Sequence, residues 1–131
     1  MKLLQSIADE VIKGGVCKEL DTDIFIYLKP KDPDNIVVLN EYKGSKVAQF
    51  TNTNVRSVQV LVRDKRNKSA YEKIWEIYDL LHRNDNIIML GNKLSLIALR
   101  HTPMSIGIDE KGRYEWVLNV GITYNNTREE W

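Results

Sequence analysis

Between residues 55 and 83 the hydrophobic period changes once, and that change constrains the fold more than any other feature. In VRSVQVLVRD, residues 55–64, Val58, Val60 and Val62 alternate with Ser57, Gln59, Leu61 and Arg63. A period of two means a strand with unlike faces, one for a core and the other wet or covered by a partner. Beyond DKRNK the period becomes helical. Ala70, Ile74, Ile77 and Leu81 form a core stripe, and Tyr71, Trp75, Tyr78 and His82 form a second stripe beside it. Glu72, Lys73, Glu76, Asp79 and Arg83 take the polar side. Ser69 and Glu72 have the S-x-x-E spacing of a capping box. Lys68 and Lys73 are spaced to pair with Glu72 and Glu76 across one turn.

The rest of the chain fits around this unit. Leu3, Leu4, Ile7, Ala8 and Val11 share one face at helical spacing, with Ile12 beside them, and Gly14-Gly15 stops that helix. DIFIYL (23–28) and NIVVLNEY (35–42) read as strands around the turn KPKDPDN. KGSKVAQFTNTN reads as a long polar loop. NIIML (86–90), KLSLIALRH (93–101) and RYEWVLNVGITY (113–124) are three more strands, with turns at Gly91-Asn92 and at DEKGR, 109–113. In the last strand Tyr114, Trp116, Leu118, Val120 and Ile122 share one face. The expected fold is α+β: a mainly antiparallel, mixed sheet packed by two helices. Residues 1–124 form a single domain and 125–131 a polar, flexible tail.

Composition narrows function mostly by exclusion. The 131 residues carry nineteen basic and eighteen acidic side chains, a formal charge of +1, which gives no general attraction to nucleic acid or anionic membrane. No segment reaches the roughly 18 apolar residues of a membrane span, and MKLLQSIADEVIK is too interrupted for a signal peptide. The single cysteine, Cys17, is expected to pack rather than react, so the two N-x-[ST] matches at Asn67 and Asn125 carry no weight in a reducing cytoplasm. Asp32 and Asp34 lack the further carboxylates a metal site needs. His82 and His101 have no partner at ligand or triad spacing, and there is no phosphate loop or nucleophile elbow. The chain is expected to be no enzyme and to hold no metal or cofactor.

Two features remain. Arg56, Arg63, Lys65, Arg66 and Lys68 make a basic strand-to-helix corner. Positive charge at a helix start opposes the helix dipole, so the charge calls for another use: an acidic neighbour, a subunit contact or nucleic acid. Tyr71, Trp75 and Tyr78 exceed the one stripe that a helix needs to cover a sheet. Core packing can absorb a wide stripe; the alternative is burial against a neighbouring subunit, where aromatics are enriched.

VQVLVRDKRNKSAYEKIWEIYDLLHR, with D-P-D-N-x-V-V-L-N-E-Y upstream and LSLIALRHTPMSIGIDEKGRYEWVLNV downstream, resembles the small minor capsid or tail-completion proteins of bacteriophages and prophages. The ordered set also resembles the tail terminator proteins of long-tailed phages. The resemblance implies a subunit that forms a ring, commonly a hexamer. That ring caps the tail tube, ends its polymerisation and joins tail to head, with the tube protein and a head-completion protein as partners and DNA only passing through. It implies a place in the virion neck or tail after assembly in the host cytoplasm. A head-completion or connector role, and a nucleic-acid-binding module using the 56–68 corner, are the alternatives.

Overall fold

The computed structural model describes residues 2–43, 53–82, 87–90, 93–99 and 101–125. Among them are two helices, α1 (Lys2–Lys13) and α2 (Asn67–Leu81), and seven strands: β1 (Ile24–Ile26), β2 (Ile36–Lys43), β3 (Thr53–Asp64), β4 (Ile87–Leu90), β5 (Lys93–Leu99), β6 (Met104–Ile108) and β7 (Tyr114–Asn125). The strands form one sheet in the order β1-β2-β3-β7-β5-β4, with β6 also paired to β7. β1 runs parallel to β2 and every other pair is antiparallel, so the α+β fold with a mixed sheet is the observed one.

Both helices lie on one face. Leu3, Leu4, Ile7, Ala8 and Val11 of α1 and Ala70, Ile74, Ile77 and Leu81 of α2 join Val37, Leu39, Val58, Val60, Val62, Leu118, Val120 and Ile122 in one core. Each large aliphatic side chain buried this way contributes about 1.5–3 kcal/mol. A twelve-residue helix is marginal alone, so α1 owes its stability to this contact. It ends as its glycines require. Gly15 has φ 82°, its N–H donates to Ile12 C=O (3.0 Å), and Val16 N–H reaches back to Val11 C=O (3.2 Å). That is a Schellman stop.

The opposite face carries a row that crosses five strands. Register places Phe25, Val38, Leu61, Val117 and Met104 side by side. The first four, with Ile36, form a second buried cluster. The loop before β2 is tied down on this side by Arg63 and Arg113, described below.

Three expectations change. Met104–Ile108 is strand, not the irregular stretch implied between the last two strands. β5 and β6 lie in tandem along one edge of β7, with the register slipping between Leu99↔Val120 and Met104↔Val117. Pro103, which has no N–H for a ladder, sits in that break. There His101 substitutes for strand backbone: its Nε2 accepts from Asn119 N–H (3.3 Å), and Nδ1 lies 2.6 Å from Thr102 C=O.

The capping box is also absent. α2 starts two residues before Ser69, with Arg66 as N-cap and no side-chain cap bond. Ala70 N–H already donates to Arg66 C=O (3.0 Å), which places Ser69 inside the first turn. Of the expected ion pairs, Lys68–Glu72 is present at 4.0 Å, whereas Lys73 turns to Asp64 (3.4 Å). The DEKGR turn is as expected: Asp109 Oδ1 accepts from the amides of Lys111 and Arg113 (both 2.9 Å), and Gly112 has φ 78°. The Gly91-Asn92 turn, most of the polar loop and the tail beyond Asn125 lie outside the described residues.

Candidate functional site

The aromatic stripe of α2 is a ladder of rings. Tyr71 and Trp75 lie 6.2 Å apart, Trp75 and Tyr78 5.0 Å, and Tyr78 and His82 5.4 Å, centroid to centroid. These separations fall in the range where aromatic pairs add to plain burial. Trp116 of β7 extends the ladder, meeting Tyr71 edge-on at 5.3 Å and donating from Nε1 to Asn67 Oδ1 (3.0 Å). Trp75, Tyr78 and Trp116 are half-buried and pack against the main core. Tyr71 keeps 47% of its surface exposed. The ladder is therefore half-buried at its middle and exposed at both ends, Tyr71 and His82, and the Nε1 of Trp75 is buried without a hydrogen-bond partner among the described residues.

The basic corner does not come together. Arg63 is 2% exposed. Its guanidinium donates to the carbonyls of Pro33 (2.7 Å), Asp34 (3.2 Å) and Lys31 (3.4 Å). This corrects its expected place in a surface patch: its side of β3 is roofed by the 31–34 loop, and three carbonyls there need donors. Burial, and next the charge of Arg113, push the Arg63 pKa below its ordinary value, against the pull of Asp109, Glu115 and Asp34.

Arg113, also buried, donates from Nη1 to Lys31 C=O (2.5 Å) and from Nε to Asp109 (2.7 Å). Nearby, Lys29 meets the carboxylate of Glu115 at 2.6 Å. Arg56 lies seven residues from Arg63 along β3, about 23 Å by strand rise, and is ion-paired with Glu41. Lys65, Arg66 and Lys68 alone remain exposed at the corner. Asp64 engages none of the corner's charges: its carboxylate takes the backbone N–H of Arg66 (2.9 Å) and Lys73 Nζ (3.4 Å), and the acidic neighbours of the corner are Glu41 for Arg56 and Glu72 for Lys68 (4.0 Å).

Sequence reasoning missed Arg113, Lys29 and the exposed strand β6. For β6 a signal existed: Met104, Ile106 and Ile108 alternate with Ser105 and Gly107. For the anchoring of the 31–34 loop by Arg63 and Arg113 there was none, because the loop carbonyls they meet lie 29–32 and 82 residues away.

No group of His, Cys, Asp and Glu suited to a metal ion occurs among the described residues. None of their helices is long and apolar enough to cross a membrane. A cavity of about 260 Å³ beside the end of α1 is lined by Gly15, Val16, Ser69, Glu72, Lys73 and Glu76, and its one cation is already engaged with Asp64. Cys17 is buried, and its thiol is pushed up to about 12 by burial and then by the charge of Asp23.

The fold is thus a mixed sheet under two helices, with a ladder of tilted and edge-on rings that is half-buried at its middle and exposed at its ends. A family model of the bacteriophage tail terminator protein matches residues 11–126, and the chain belongs to that family. It is a structural component of a phage virion. No curated protein matches the sequence.

Proposed function

We propose that the chain assembles as a ring, a hexamer by resemblance, on the end of the phage tail tube. There it stops polymerisation of the tube protein and presents the docking surface for a head-completion protein. It assembles in the host cytoplasm, takes its place at the head end of the tail, and lets DNA pass through without holding it. The family match over 11–126 carries this reading, and the half-exposed aromatic ladder supports it. Tyr71, with Trp75 and Tyr78 behind it, is one lateral contact; Lys65, Arg66 and Lys68 are polar contacts at its margin, and Arg56, far along β3 from them, is a separate one. Arg63 acts beneath the surface, holding the loop before β2.

The test is direct. Purified chain is added to polymerising tail tubes, and tube length and tube ends are followed by electron microscopy. Tubes of fixed length with a cap at one end are expected. Tubes that lengthen unchecked in excess chain, with bare ends, would end this reading. Of the five residues in the nucleic-acid reading, Arg63 is buried and Arg56 is paired with Glu41, which leaves it Lys65, Arg66 and Lys68.

A further inference from the structure

His101 holds a position that only one of its protonation states can fill. It lies in the break between β5 and β6, where the edge along β7 passes from Leu99↔Val120 to Met104↔Val117. Asn119 falls in that break. It pairs with Gln59 on the β3 side and has no strand partner on the other side among the described residues. Its N–H donates instead to His101 Nε2 (3.3 Å). A ring nitrogen accepts only when it carries no proton. The neutral imidazole then keeps its proton on Nδ1, and Nδ1 lies 2.6 Å from an acceptor, the C=O of Thr102. Both contacts thus call for the same form, neutral and protonated at Nδ1.

A second proton would set a donor on Nε2 against the donor of Asn119. That backbone N–H would lose its acceptor inside the sheet. The surroundings do not offset the new charge. The strand stretches that border the break are 98–99 of β5, 104–108 of β6, 117–121 of β7 and, across β7, 58–60 of β3, and none of them carries a charged or titratable side chain. In the chain itself the nearest charged residue is Arg100, of the same sign as an imidazolium.

β6 is the element that this contact secures. All five of its residues are exposed, and none belongs to either buried cluster. Among the described residues only β7 pairs with it. Its attachment rests on that ladder, on the turn beyond it, where Asp109 N–H donates to Arg113 C=O (2.9 Å), and on the join at its start. A segment held by so few contacts opens locally at low cost, while the core stays closed. We propose that His101 is a pH-sensitive pin. Neutral, it closes the sheet between β5 and β6; protonated, over the range of about pH 8 to 5 in which imidazoles gain charge, it lets the start of β6 come away from β7.

Heteronuclear NMR of the full chain tests both halves. At about pH 7.5 the His101 ring should carry its proton on Nδ1 and none on Nε2. A ring protonated at Nε2 would overturn the proposal. Amide exchange is then compared at about pH 7.5 and about pH 5.5, each rate divided by that of an unstructured chain at the same pH. Protection of Asn119 and of the β6 amides should fall about tenfold or more at the lower pH, while the β3 amides keep theirs. In His101→Gln the side-chain carbonyl accepts at either pH, so protection should no longer change between the two. His82→Gln removes the only other histidine and should leave the change in place. Equal protection at both pH values in the wild-type chain, or a loss that persists in His101→Gln, would overturn the assignment of the pin.

Discussion

Two guanidiniums pin the loop between β1 and β2, and they do so by satisfying carbonyls that the fold has taken from water. Removing one donor leaves several acceptors unmet, and charged donors count for more than neutral ones. Arg63→Met should therefore cost about 2–3 kcal/mol in urea unfolding, whereas Arg66→Glu, on an exposed residue nearby, should stay within about 0.5 kcal/mol of wild type. A second residue-scale expectation concerns pH. The Arg56 side chain bonded to Glu41 holds that carboxyl below its ordinary 4.5, although its partial burial pulls the other way. The folded state thus keeps the charged form to lower pH than the unfolded chain does. The stability this supplies is complete above pH 4.5 and is lost as pH falls through the lowered value. Glu41→Gln should flatten that part of the acid limb in a pH series of denaturant midpoints; an unchanged limb would assign the acid loss to other carboxylates.

Between elements, α1 ends close against α2. A Cβ built on Gly14 would sit 2.6 Å from both methyl carbons of Leu80. Gly14→Ala should destabilise by about 1–3 kcal/mol, and adding Leu80→Ala should recover part of that loss in a double-mutant cycle by urea unfolding. Elements of this kind are the ones that sequence periodicity reveals. The Val58, Val60, Val62 alternation and the Ala70, Ile74, Ile77, Leu81 stripe report burial residue by residue, and both fall on the main core. What escaped depends on distant partners. Ser69 has the right spacing for a cap, but β3 runs through Asp64 and the helix begins at Asn67, so the box closes on nothing. β6 escaped because Pro103 and Gly107 interrupt a strand whose tandem course along β7 only the register reveals. The half-buried aromatic ladder stayed open because periodicity finds a second stripe without saying how far it is covered.

For the whole molecule the question is which surfaces serve the fold and which serve assembly. Tyr71→Ala removes an exposed ring at the end of the ladder and should leave the melting temperature nearly unchanged while weakening ring formation on tubes. Trp75→Ala removes a half-buried ring that meets both Tyr71 and Tyr78 at a tilt and should lower stability by about 2–3 kcal/mol before assembly is even asked. If the two variants melt alike, the difference in burial between Tyr71 and Trp75 does not divide folding from contact. Cys17 adds a consequence of another kind. As the chain's single thiol, sealed between the end of α1 and β1 and held protonated at neutral pH, it is out of reach of alkylating reagents until the molecule opens. The rate at which such a reagent consumes it is then a stopwatch for opening, native to the wild-type chain. Run on free subunits and on particles side by side, that stopwatch would read how much slower each subunit breathes once its neighbours are in place.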